Sequence, residues 1–383
     1  MRIASAEALG FTFDHDREPL SYCLIRVTTD DGITGWGEAC DSFGMTYASV
    51  IEAAVSDAFA PLLVGEELDS IDRLMHKLRS WTRRRLGHTW VASQALSGLE
   101  LAMQDVLGKA RGEPVAVMLG GSLDPVPVYA SSVFLGEGDP DWHVELLGPL
   151  LRAGVRGVKV RIGVDWQSDL ETLAGLRGRL DPAVDVMIDG NENFTVDTAL
   201  VVAGRLAELG IGWFEEPVLQ ESPAAMDAMA ARSPVPLACG EHMFGVAEFE
   251  EAIRRNWATF LQPDASTCGG LAEGMHIAAA GHRAGVRVVP HSASGPVALA
   301  ANLHLAAASP TIGLLEYPYP LAECWATIAP GCPLVPDRVV DGALTPPDVP
   351  GLGIDVDFEA VRSRPYQPPA PRSGPSTQYA GNV

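Results

Sequence analysis

A chain of 383 residues with 47% hydrophobic content is long enough to bury more than one core. Its net charge of −22 and isoelectric point of about 4.7 exclude a nucleic-acid-binding surface, which needs concentrated positive charge. No apolar stretch reaches the roughly 18 residues of a membrane span, and the start, MRIASAEALG, lacks the layout of a signal peptide, so a soluble cytoplasmic protein without nucleic-acid or membrane partners is expected.

In chain order, the loop FTFDHDREP (11–19) comes first and YCLIRVTTDDGITGWGEA (22–39) follows as a hairpin around Asp30-Asp31-Gly32. A second loop spans 40–47, and helical segments begin near Tyr47. Residues 93–112 carry Leu96, Leu99, Ala102, Met103, Val106 and Leu107 at helical spacing and close at Gly112. Strands followed by helices predict an α+β unit over 1–122, with 338–360 returning to it. From Val126 the pattern alternates strand and helix, with strands expected at 126–134, 157–163, 184–191, 211–217, 236–241, 258–264, 286–292 and 311–318. Eight strands with intervening helices over 123–337 predict a TIM-type barrel, and no G-x-G-x-x-G opens a helix after the first of them. The stretch from about Arg362, with QPPAPRSGPST, has the composition of a flexible tail over 361–383. The six cysteines, Cys23, Cys40, Cys239, Cys268, Cys324 and Cys332, form no C-x-x-C pair and are expected to be reduced and mostly buried.

The apolar runs of the barrel end in charge, at intervals of about 23 to 30 residues: Lys159, Asp189, Glu215, Glu241, Asp264, His291 and Glu316. Strand C-termini converge on the active-site mouth of such a barrel, which gives these charges a common destination. Asp189, Glu215 and Glu241 end three successive strands, which lie about 5 Å apart. Carboxylates so crowded repel, and an all-oxygen set favours Mg²⁺, with Mn²⁺ the other choice. Asn191, two residues beyond Asp189, would touch a water, the metal or the substrate, or cap the next helix. Lys159 and Arg161 share a strand face, and Arg161, always protonated, suits charge stabilisation better than proton transfer. Asp264 beside His291 would fix the imidazole tautomer and raise its basicity. Glu316 would donate a hydrogen bond if neutral, or pair with Lys159 across the barrel. With no G-x-S-x-G elbow, the parts describe abstraction of a proton beside a metal-bound carboxylate.

These residues resemble the enolase superfamily in its mandelate racemase subgroup. GWGEA (35–39) and LSGLELAMQDVLGKARGEPVAVMLGG (96–121) are similar to its capping-domain sequences, and the acidic series, the Asp264–His291 dyad and Glu316 follow its order. The resemblance implies a modified (β/α)7β barrel with an α+β cap, Mg²⁺, proton abstraction beside a carboxylate, and a symmetric homo-oligomer, dimer or octamer. One departure bears on the reaction: the racemase Lys-x-Lys appears here as Lys159-Val160-Arg161. A single base, His291, fits dehydration of a sugar acid to a 2-keto-3-deoxy acid, and PHSASGP (290–296) is similar to acid-sugar dehydratases. An epimerase or a lactone cycloisomerase uses the same parts, and a non-catalytic sugar-acid-binding barrel would have no need of the dyad. Substrate choice is expected in the loops over the mouth, where His15, Arg17 and Phe43 are candidate contacts to a small-molecule carboxylate.

Overall fold

The computed structural model describes residues 1–13, 19–39 and 46–369. Its first sheet is an antiparallel meander of β1 (Ile3–Phe13), β2 (Leu20–Thr29) and β3 (Thr34–Glu38). The helix Val91–Arg111 lies against this sheet, burying Ile25 and Val27 with Leu96, Leu99 and Met103. The glycines of GWGE explain how closely. A Cβ at Gly35 would stand 2.2 Å from Ala102 O, and one at Gly37 would stand 1.9 Å from Gly98 O. Only glycine lets the strand backbone touch the helix backbone there.

The second sheet holds eight parallel strands: β4 (Val126–Phe134), β5 (Gly157–Arg161), β6 (Asp185–Asp189), β7 (Phe214–Glu215), β8 (Leu237–Cys239), β9 (Phe260–Leu261), β10 (Arg287–Val288) and β11 (Leu315–Pro318). They are ordered β10-β9-β8-β7-β6-β5-β4-β11, and at the seam Glu316 N donates to Pro290 O at 3.2 Å. One α-helix follows each strand from β4 to β10, whereas β11 runs into the 3₁₀ segment Leu321–Thr327. This is the (β/α)7β variant of the TIM barrel. No helix among the described residues is long and apolar enough to cross a membrane.

The later strands are shorter than their apolar runs predict. Pro263 and Pro290 have no N–H to continue a ladder, so β9 and β10 stop at Leu261 and Val288. Asp264 and His291 therefore sit on the loops just beyond their strands, while Asp189 and Glu215 are the last residues of theirs.

After the barrel the chain pairs β12 (Ala343–Leu344) antiparallel to β4, then runs along the first unit. Val115 N donates to Gly351 O at 3.0 Å, and Leu352 N to Asp105 Oδ1 at 2.7 Å. The composition of the stretch from Arg362 predicts a flexible tail, yet residues up to 369 are held in place. Gln367 N donates to Thr12 Oγ1 at 2.8 Å and Ser21 Oγ to Gln367 O at 2.6 Å, so buried hydroxyls of β1 and β2 fix its backbone. The rest of that tail, 370–383, lies outside the described residues.

Buried acids of the first unit cap helices of the barrel. Glu38 accepts from Gly295 N at 2.6 Å and Ala298 N at 3.0 Å, at the start of the helix Pro296–Ala308. Glu100 accepts from Leu271 N at 2.9 Å and Ala272 N at 3.3 Å, at the start of Leu271–Ala284. A helix N-terminus leaves unpaired N–H groups and partial positive charge, which a carboxylate satisfies. Of the cysteines, Cys23, Cys239, Cys268 and Cys332 are buried free thiols, Cys324 is half-buried, and Cys40 lies outside the described residues.

Candidate active site

Register builds the centre of the site. Across β5, β6 and β7, Arg161 pairs with Asp189 and Asp189 with Glu215, so the three lie in one row. Lys159, two residues before Arg161, shares its face. All four are buried. Lys159 Nζ donates to Glu215 Oε1, lies 2.9 Å from Glu316 Oε1 and is 3.6 Å from Asp189 Oδ2. Arg161 Nε is 3.5 Å from Asp189 Oδ2, and its Nη1 donates to Ser132 O. Glu316 also accepts from Ser292 N at 3.2 Å. Burial opposes its charge, but Lys159 and His291 hold its pKa below the ordinary value. Glu316 thus stands as the ion-pair partner of Lys159 rather than as a neutral donor.

Asp189, Glu215 and Glu241 each offer an oxygen within 4.8 Å of the others. Burial pushes Glu215 up to about 8 against the pull of Lys159, with repulsion from Asp189, Glu316 and Glu241 adding to it. Glu241 is held at about 2 despite its burial, because His291, His242 and Lys159 surround it. The two directions belong to one crowded set of charges. An excess of carboxylate over cation remains, and it falls on Glu215 and on Asp189, whose burial raises its pKa as well. The chemistry of the donor set, all carboxylate and dry, fits a hard divalent cation.

His291 Nδ1 lies 2.9 Å from Asp264 Oδ2. Nε2 is 3.2 Å from Glu241 Oε2 without hydrogen-bond geometry. A carboxylate on Nδ1 fixes the proton there, so Nε2 is the nitrogen that faces the site and would exchange a proton with a substrate. Burial disfavours the imidazolium, but Glu241, Glu316 and Asp264 outweigh it and raise the pKa to about 10. Asp264 is fixed by Ser266 Oγ at 2.7 Å and Asn302 Nδ2 at 3.0 Å, both donating to Oδ1. Asn302 Nδ2 also reaches His291 O at 3.0 Å.

Asn191 lies beyond the end of β6, in a turn with φ of 43°. Its backbone N donates to Asp189 Oδ1 at 2.9 Å and its Nδ2 to Oδ2 at 3.2 Å. It does not cap the next helix, where Thr195 accepts from Thr198 N. His15, Arg17 and Phe43 lie outside the described residues.

Two residues of the site escape a search for terminal charges. Trp213 Nε1 donates to Glu215 Oε2 at 3.0 Å; its signal is its place two before Glu215 on the same strand face. Asn302 betrays itself as an amide that, like His304, is buried in a helix of otherwise apolar residues, PVALAANLHLAAA.

Comparison with known proteins agrees with this geometry. Residues 144–361 match the family described as enolase C-terminal domain-like, and 13–120 match the mandelate racemase / muconate lactonizing enzyme N-terminal domain. The chain belongs to the mandelate racemase / muconate lactonizing enzyme family of the enolase superfamily. It is 31% identical over 348 residues to D-galactarolactone cycloisomerase of Agrobacterium fabrum, covering 89% of this chain and 90% of that one. It is 30% identical over 292 residues to arabinonate dehydratase of Saccharolobus solfataricus, covering 76% and 77%. A solved enolase-superfamily member from Polaromonas superposes with a TM-score of 0.84 at 28% identity, covering 98% of this chain and 100% of that one.

Proposed function

We propose that this protein abstracts the proton beside the carboxylate of a sugar acid and dehydrates it to a 2-keto-3-deoxy acid. The observation that carries the reading is a site with one available base. His291 Nε2 has no hydrogen-bond partner among the described residues and has Asp264 behind Nδ1, and a divalent cation on Glu241 would cancel the largest charge that keeps the imidazole protonated. Lys159 is held in its charged form: burial opposes the charge, but Glu215 and Glu316 raise its pKa well above the ordinary value. Arginine does not give up its proton in a protein.

Asp189, Glu215 and Glu241 would hold Mg²⁺, or Mn²⁺, which supplies a Lewis acid for the substrate carboxylate and acidifies the neighbouring C–H. His291 Nε2 takes the C2 proton, and Asp264 stabilises the imidazolium through Nδ1. Lys159 and Arg161, buried and cationic, offset negative charge developing on the substrate carboxylate. The C3 hydroxyl leaves as water with the proton that the His291 imidazolium returns, and the resulting enol tautomerises to the ketone. A symmetric homo-oligomer belongs to the same reading.

A second reading, lactone cycloisomerisation, is favoured by the likeness to the Agrobacterium enzyme over nine-tenths of the chain. There the same proton abstraction would expel a ring oxygen instead of hydroxide.

Proton NMR of acid sugars and their lactones, with the protein and Mg²⁺ in heavy water, tests both. Loss of the C2 proton with a new monodeuterated C3 methylene from an open-chain acid supports dehydration. The same product from a lactone alone supports cycloisomerisation. C2 exchange without a keto product would refute both.

A further inference from the structure

Next to the acids of the inner triad, just beyond the strand ends, lie three more residues with ligand atoms. Glu216 follows Glu215, His242 follows Glu241, and Glu192 lies in the turn after Asp189. These residues meet one another: Glu192, Glu216 and His242 each offer a ligand atom within 4.8 Å of the other two. His242 Nδ1 is 3.0 Å from Glu216 Oε2, while its Nε2 is 3.7 Å from Glu241 Oε1 of the inner triad. An imidazole with a carboxylate behind one nitrogen and anionic ligands before the other has the orientation of a metal-binding histidine.

A fourth residue braces the two carboxylates. Gln220 is 7% exposed, and its amide reaches into the cluster. Its backbone N donates to Glu192 Oε1 at 2.7 Å, and its Nε2 donates to Glu192 Oε1 at 3.3 Å and to Glu216 Oε1. Its Oε1 has no hydrogen-bond partner among the described residues. A second buried oxygen stands unpaired inside the cluster: Glu216 Oε2, on a side chain 0% exposed, has no hydrogen-bond partner among the described residues. A buried acceptor without a donor is costly, and a cation held by Glu192, Glu216 and His242 would satisfy it while Gln220 Nε2 keeps its bonds.

We propose that Glu192, Glu216 and His242 form a second divalent-cation site beside the inner triad. One imidazole with two carboxylates favours Mn²⁺ or Zn²⁺ over Mg²⁺, which takes oxygen ligands. The two sites would share a wall, since Glu241 of the first orients His242 of the second.

The test is stoichiometry. Full-length protein stripped with chelator is titrated with Mn²⁺, and free ion is counted by electron paramagnetic resonance. Elemental analysis after dialysis against Zn²⁺ repeats the count. The wild type is expected to bind two ions per chain, and E192Q and H242N one each. D189N, which damages only the inner triad, should also bind one, and bound Mn²⁺ in D189N should show nitrogen coupling that H242N lacks. One ion in the wild type, or two that survive both E192Q and H242N, would overturn the proposal. Circular dichroism checks the fold of each variant. Glu192 is half-buried and its replacement isosteric, so E192Q decides if H242N folds poorly. A D189N protein binding no Mn²⁺ while E192Q and H242N keep one ion would also overturn the outer site, leaving the reading of the inner triad intact.

Discussion

Glu38 provides a prediction in which the whole argument can be worked from the structure. Its carboxylate crosses from the first unit to cap the helix that follows the His291 loop, and it is 1% exposed. Burial pushes it from 4.5 up to about 7, against the backbone N–H groups of Ala298 and Gly295. A carboxyl raised on folding binds its proton more tightly in the folded state. Its contribution is therefore fully present below the unfolded value near 4.5 and is lost as pH rises through about 7. At 1.36 kcal/mol per pH unit, that displacement corresponds to about 3 kcal/mol. Glu38→Gln keeps the shape and removes the titration. Urea unfolding followed by tryptophan fluorescence at pH 5 and pH 8 should show the wild type losing about 3 kcal/mol more than E38Q across that interval. Equal losses in the two proteins would refute the reasoning and put the carboxylate's charge at no cost in the interface.

His304 should oppose this trend: its Nδ1 accepts from Ala116 N at 3.1 Å, and burial lowers its pKa to about 4. Its stability contribution is present above 6.5 and lost as pH falls toward 4, by about 3 kcal/mol, so H304Q should unfold less readily in acid than the wild type under the same urea assay. Asp264→Asn removes the charge behind His291 while keeping an amide in its place, and kcat should fall by about 10² to 10⁴-fold with Mg²⁺ affinity little changed by calorimetry. Chelation should stop turnover and lower the melting temperature, and Mg²⁺ restored at about 100 times its Kd should return about 2.7 kcal/mol of stability. Arg161→Lys offers a second nitrogen base on the face opposite His291, and chiral analysis of recovered substrate should then show C2 epimer that the wild type does not form.

The barrel was legible because its signal is repeated: each apolar run ends in a charge, and no packing rule explains that ending except convergence at a mouth. Asp189 and Glu215 are strand-terminal residues, so strand periodicity places them correctly. Beyond a strand end that periodicity stops carrying information. Asn191, two residues beyond Asp189, sits in a left-handed turn and donates back to that carboxylate. Glu216 and His242 were hidden beside Glu215 and Glu241 because adjacent residues of like chemistry read as one feature, although their side chains join different clusters. Glu38 and Glu100 were hidden for another reason: their partners are helix N-termini some 170 residues or more away, and backbone N–H groups carry no sequence label.

The substitution of arginine for a second lysine matters because of what surrounds its neighbour. Removing a C2 proton and returning it to the opposite face needs two bases that can each be neutral. Lys159 stands among Glu215, Glu316 at 2.9 Å and Asp189 at 3.6 Å, and at least one of these stays close enough to hold its proton. A cation taken up by the triad would compete for Glu215 and Asp189, yet Glu316 is not part of that triad and keeps its own contact. Lys159 thus remains charged by geometry, and Arg161 by its chemistry. A proton lost to His291 then returns only from the same side, which leaves the substrate unchanged unless a group departs from C3. Elimination follows from the electrostatics of the barrel floor, whereas the choice between a hydroxyl and a ring oxygen as leaving group falls to whatever the mouth admits.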